Sequence, residues 1–271
     1  IYRQPEQIDW TPEQAQKGGY PHLMLKEIFE QPEAIENSVR GRLIVDQGLA
    51  RLGGLEAVKD ELRTKERILI SACGTSYFAG RVGEYILEEY AGMPTEVDLA
   101  SELRYRKPVF NPKKDVLIVI SQSGETADTL SALREVNQKG LLTLGIVNVV
   151  GSTIARETRA GIYQHIGPEI SVASTKAFTS QVAILALLAL YLGRQRQMSL
   201  TIGQRIANEL RVIPKLMQRV LERDKEIKKI AKKYQRARNF LYLGRKYNLP
   251  VAFEGALKLK EIAYVHAEGG S

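Results

Sequence analysis

Cysteine is almost missing from this chain: Cys73 stands alone in 271 residues. An internal disulfide and a cysteine-based metal site are therefore excluded, and a reducing, cytoplasmic compartment is expected. Long apolar runs are scarce as well. The longest, Val182 to Leu192, is too short to cross a bilayer, so no membrane association is expected. The first twenty residues, with Pro5, Asp9, Trp10 and several glutamines, lack the apolar centre of a signal peptide. The three histidines, His22, His165 and His266, are too scattered to give a metal-ligand spacing.

Charge is present but uneven. Of the formal +8, the stretch from Arg205 to Lys246 carries 14 Lys or Arg against 4 Asp or Glu, leaving about −2 for the rest. Within that stretch Leu216, Met217, Val220, Leu221, Ile227, Ile230, Ala231 and Tyr234 recur at helical spacing. The pattern predicts amphipathic helices whose charges face solvent and whose apolar side faces inward. Tyr234 lies on that apolar side and cannot stack bases, so nucleic acid is not an expected partner.

The most informative stretch runs from Asp115 to Ala127, D-V-L-I-V-I-S-Q-S-G-E-T-A. Val116 to Ile120 are apolar and mostly β-branched, which suits a strand buried on both faces. Ser121, Gln122, Ser123, Gly124 and Thr126 follow, and from Ala127 the apolar residues Leu130, Leu133 and Val136 recur at helical spacing. Strand, polar loop and helix in this order make a cup for an anion, because the first turn of a helix has unpaired N–H groups and a partial positive charge.

The same design stands earlier, where Arg67 to Ala72 reads as a strand followed by Cys73-Gly74-Thr75-Ser76 and a helix to Tyr90. Short strands are predicted at Thr95 to Leu99, Leu141 to Val147 and Gly161 to Ile166. Such alternation predicts an α/β fold, a flavodoxin-like five-stranded parallel sheet flanked by helices, in the order 2-1-3-4-5. In that order a ligand binds between strands one and three, where the winding reverses, and Ser76 and Ser121 to Thr126 would line its two lips.

Before the sheet, His22 to Val39 reads as one or two helices broken at Pro32. After it comes Ser171-Val172-Ala173-Ser174-Thr175 and a long apolar helix, Lys176 to Leu192, for which Ser174 or Thr175 reads as the N-cap. Asn239 to Leu243 restarts the strand pattern. The last helix, Val251 to His266, sets Glu254, Lys258 and Glu261 on one face, which from spacing alone reads as surface salt bridging.

Four segments together carry a resemblance: A-C-G-T-S (72 to 76), S-Q-S-G-E-T-A-D-T-L (121 to 130), V-A-S-T-K-A-F-T-S-Q (172 to 181) and E-G-A-L-K-L-K-E-I-A-Y-V-H-A-E (254 to 268). They resemble the isomerase half of the glutamine:fructose-6-phosphate aminotransferases, built from two sugar isomerase (SIS) domains. The resemblance implies a linker from a glutaminase domain at 1–20, a first SIS domain at 21–200, connecting helices at 201–238 and the start of a second SIS domain at 239–271. It implies that Ser76, Ser121, Gln122, Ser123 and Thr126 hold the phosphate of fructose 6-phosphate, with Thr75 beside them. It implies that Val172 and Ser174 meet the sugar hydroxyls, against the N-cap reading of Ser174. Glu261 would move a proton from C1 to C2 and Lys258 would stabilise the charged intermediate. The product is glucosamine 6-phosphate, the reaction needs no cofactor or metal, and the implied partners are a second copy of the chain and the glutaminase domain.

Departures from the family pattern shape the expectation. The glutaminase cysteine, the ring-opening histidine beyond the last helix and a lysine near the family's C-terminus have no counterpart in these 271 residues, so this stretch alone is expected to be inactive. Ser171 and Lys246 replace residues that are often glycine. The alternative reading is a non-catalytic module that senses phosphosugars, which would need the serine-rich cup but not Glu261.

Overall fold

The computed structural model describes residues 16–271; the expectation of a linker at 1–20 lies, for residues 1–15, outside the described residues. Five strands form a parallel sheet: β1 (Arg67–Ala72), β2 (Thr95–Leu99), β3 (Asp115–Ser121), β4 (Leu142–Val147) and β5 (Ala160–Tyr163). Their order is β2-β1-β3-β4-β5, all neighbours parallel, as the sequence predicts. All seven residues of β3 are buried, which explains its unbroken apolar run: a central parallel strand has helices over both faces. The last strand is shorter than predicted. It ends at Tyr163, and Gln164 to Ile166 leave the ladder for a loop.

Helices Gly74–Ile86 and Ala127–Gln138 follow β1 and β3. Helix Lys176–Arg194 is apolar enough in length and composition to cross a bilayer, yet most of it is packed inside the protein, against helices Gly74–Ile86 and Gln31–Val39. Its residues Ile184, Leu185, Leu187 and Leu188 are all buried with Ile68, Ile118 and Leu142 in one core. Pro32 falls in the first turn of helix Gln31–Val39, where a missing N–H costs nothing, and it separates that helix from Leu23–Phe29.

Two corrections concern the rest. Helices Leu200–Leu221 and Asp224–Tyr234 form, but the apolar stripe along them is not turned inward over its whole length. Only Gly203, Ala207 and Leu210 are buried, whereas Leu216, Val220, Ile227, Ile230 and Tyr234 are exposed, Val220 to 60%. Helical spacing defines which residues share a face, not whether a neighbour covers it. The last helix runs from Asn248 to Ala263 and stops at Tyr264, whose φ of 53° is left-handed. Beyond it the chain does not stay helical to His266: β6 (Asn239–Leu243), before the helix, pairs in parallel with β7 (His266–Gly270), after it. This strand–helix–strand unit rests on the first sheet's flank, where Phe253 stacks on Phe78 with centroids 6.0 Å apart and Tyr247 meets Tyr85 edge-on.

Candidate functional site

Ala72 and Ile120 are register partners on adjacent strands, so the loops that follow them start side by side, about 4.8 Å apart. Cys73 is the N-cap of helix Gly74–Ile86 and Thr126 that of Ala127–Gln138. Two helix N-termini with unpaired N–H groups therefore open at the winding reversal of the sheet.

The second loop is held by its own hydroxyls. Ser121 Oγ lies 2.9 Å from Thr126 Oγ1 and accepts the Gly124 N–H at 3.0 Å, while Ser123 Oγ accepts the Glu125 N–H at 3.2 Å. Gly124 has φ 69°, and a Cβ there would collide with the Ser152 side chain, so only glycine fits. The Gln122 carbonyl accepts the Asn148 N–H at 3.1 Å. In the first loop Ser76 Oγ accepts from Gln181 Nε2 at 3.1 Å. Gln181 is fully buried, and since it supplies the donor in that bond, the Ser76 hydroxyl keeps its own hydrogen for another acceptor.

Thr75 joins the first loop to the last helix. Lys258 Nζ donates to Thr75 Oγ1 at 2.8 Å, and Thr75 donates onward to Glu254 Oε1 at 2.9 Å. Lys258 also lies 3.4 Å from Glu254 and 2.8 Å from Glu261. Glu254 is 5% exposed and its Oε2 has no partner among the described residues, so the surface salt bridge read from spacing is in fact half-buried. Burial pushes the Glu254 carboxyl up to about 7; the Lys258 charge and the Thr75 hydroxyl pull it down, and Glu261 adds to the rise. Glu261, the outer carboxylate, is the more accessible one.

The loop between β5 and helix Lys176–Arg194 contains Val172, 96% exposed, and Ser174. Thr175 is the helix's N-cap residue, but neither Thr175 nor Ser174 caps it with a side chain. Glu169 does so instead: it accepts the Thr175 and Ala177 N–H groups at 2.8 and 3.1 Å, and the Ser174 hydroxyl at 2.6 Å. Glu27, from helix Leu23–Phe29, accepts the Ile170 and Ser171 N–H groups at 2.6 and 3.1 Å and the Ser171 hydroxyl. Sequence reasoning missed Gln181, Glu27 and Glu169. Gln181 closes the third of the four motifs; for Glu27 no local signal exists, because its partners are 143 and 144 residues away.

A family model described as SIS domain matches residues 61–191. Glutamine–fructose-6-phosphate aminotransferase [isomerizing] of Chlorobaculum tepidum is 55% identical over 263 residues, covering 97% of this chain and 43% of that protein. A Thermus thermophilus protein of the same name is 49% identical, covering 99% of this chain and 44% of that protein. The chain thus spans less than half the length of these relatives. Among solved structures, the C-terminal domain of glucosamine-fructose-6-phosphate aminotransferase from Francisella tularensis is 40% identical with a TM-score of 0.87, covering 93% of this chain and 70% of that one.

Proposed function

The chain belongs to the glutamine–fructose-6-phosphate aminotransferase family, and from that membership we propose that it is the sugar isomerase portion of an enzyme making glucosamine 6-phosphate from fructose 6-phosphate and glutamine-derived ammonia. The observation that carries this reading is the 2.8 Å bond from Lys258 to Thr75, because it sets the carboxylate-bearing helix beside the serine-rich cup. In this reading the phosphate handle and the proton carrier serve the two ends of one sugar phosphate.

In this reading Ser76, Ser121, Gln122, Ser123 and Thr126 bind the phosphate together with the two helix N-termini, and that binding energy positions the distant reacting carbons. Val172 through its main chain and Ser174 through its hydroxyl meet the sugar. Ammonia adds to the C2 ketone and water leaves to give an imine. Glu261 takes a proton from C1 as the imine nitrogen takes one up, giving an enolamine, and delivers it to C2 as the C1 hydroxyl gives up its proton, leaving an aldehyde at C1 and an amine at C2. Lys258, between two carboxylates, is the fixed positive charge next to the electron-rich intermediate. Thr75 stands beside the phosphate ligands and also orients Lys258 for this step. The single cysteine suits a cytoplasmic enzyme, and the family assignment supports a homodimer and a glutaminase domain as partners.

The test is Glu261→Gln in the full-length enzyme. Fructose 6-phosphate affinity should hold within about threefold while solvent deuterium exchange at C1 falls by roughly 10²–10⁴. Exchange at the wild-type rate would leave only a phosphosugar-sensing module.

A further inference from the structure

Resting on that reading, we propose that Glu27, outside the sheet, is a positioning residue that presents the Val172–Ser174 segment to the sugar. The segment belongs to a long connection between β5 and helix Lys176–Arg194, and a connection of this kind is ordinarily mobile. Here it is fixed at three points. Asn148 holds its start, accepting the Ile166 N–H at 3.1 Å and donating to the Gly167 carbonyl at 2.7 Å. Glu169 holds its end at the helix N-terminus.

The middle is held by Glu27. This residue is 2% exposed, and its carboxylate takes two consecutive N–H groups and one hydroxyl, all from Ile170 and Ser171. Ser171 Oγ also lies 2.9 Å from the Ala173 carbonyl, so its one hydrogen is shared between Glu27 and that carbonyl across Val172. Val172 is left projecting between two clamped residues, Ser171 and Ser174. A glycine at 171 would keep the N–H bond to Glu27 but lose both hydroxyl contacts. The serine is therefore part of the brace.

The ligand that senses the brace is the sugar, not its phosphate, because the cup is built from other loops. Binding of fructose 6-phosphate and of inorganic phosphate to the full chain separates the two. Glu27→Ala removes the carboxylate that accepts both N–H groups and the Ser171 hydroxyl and should weaken fructose 6-phosphate about tenfold, with inorganic phosphate unchanged within about twofold. Ser171→Ala, which spares the N–H contacts and any risk to folding from a changed buried charge, should weaken the sugar phosphate about threefold in the same selective way. Wild-type fructose 6-phosphate affinity in both variants, or a parallel loss of both ligands, overturns the brace. A wild-type chain that binds fructose 6-phosphate no better than inorganic phosphate overturns the functional reading, and the brace with it.

Discussion

Glu254 lies on the buried side of Lys258, its Oε1 3.4 Å from the ammonium, while Glu261 holds the same ammonium from the open side at 2.8 Å. One cation is thus shared by two carboxylates of unequal solvation. The inner one has a folded pKa of about 7 against an ordinary value of 4.5. The folded chain therefore keeps a proton that the unfolded chain releases between these values, and the associated stability is full below about pH 4.5 and lost as pH rises through 7. At 1.36 kcal/mol per unit the loss is on the order of 3 kcal/mol. Denaturant unfolding at pH 5 and at pH 8 should show wild type losing stability relative to Glu254→Gln; equal pH dependence in the two would refute the assignment.

Tyr264 ends helix Asn248–Ala263 in the left-handed region, φ 53°, with its side chain 93% exposed. A side chain there costs about 1–2 kcal/mol that glycine does not, partly offset by glycine's freer unfolded chain. Tyr264→Gly should stabilise by about 0.5–1 kcal/mol in thermal or urea unfolding, and Tyr264→Ala should not. A gain from alanine equal to that from glycine would assign the effect to the aromatic ring instead.

The sheet was legible because β1, β3 and β4 are nearly pure apolar runs, a pattern that burial on both faces imposes on parallel strands. The polar loops after β1 and β3 stand out against those runs for the same reason. The fate of the 200–234 stripe was not legible: periodicity shows that Val220 and Ile227 share a face but carries no information on what covers it. Glu254 was misread for a related reason. Spacing places it near Lys258, whereas its burial comes from the docking of its helix on Thr75, 179 residues earlier. Clamps such as Glu27 and Glu169 are tertiary pairings of ordinary residues, and a single sequence gives no sign of which glutamates are so used.

Gly124 is constrained twice, by φ 69° and by the Ser152 side chain that occupies the space of a Cβ. Gly124→Ala should cost about 2–4 kcal/mol, the sum of a left-handed alanine and local overpacking. Adding Ser152→Gly should recover the packing part but not the backbone part. Full recovery in the double variant would mean that the backbone conformation carries no strain.

Ser76 and Gln181 make the last prediction, because the direction of their bond decides what Ser76 can do. Gln181 Nε2 donates to Ser76 Oγ, so the serine keeps its own hydrogen for another acceptor, which in the proposed reading is the phosphate. Gln181→Glu replaces that donor with a carboxylate that would accept the serine hydrogen and add negative charge beside the cup. Gln181→Met removes the donor without reversing it. Inorganic phosphate and fructose 6-phosphate should therefore bind the methionine variant a few-fold more weakly than wild type, about 1 kcal/mol for one neutral hydrogen bond. The glutamate variant should lose both ligands by more than about tenfold at pH 8 and recover part of the loss near pH 5, as the new carboxyl takes up a proton. Equal weakening by methionine and glutamate at both pH values would show that the bond matters for packing alone and that Ser76 does not donate to the anion.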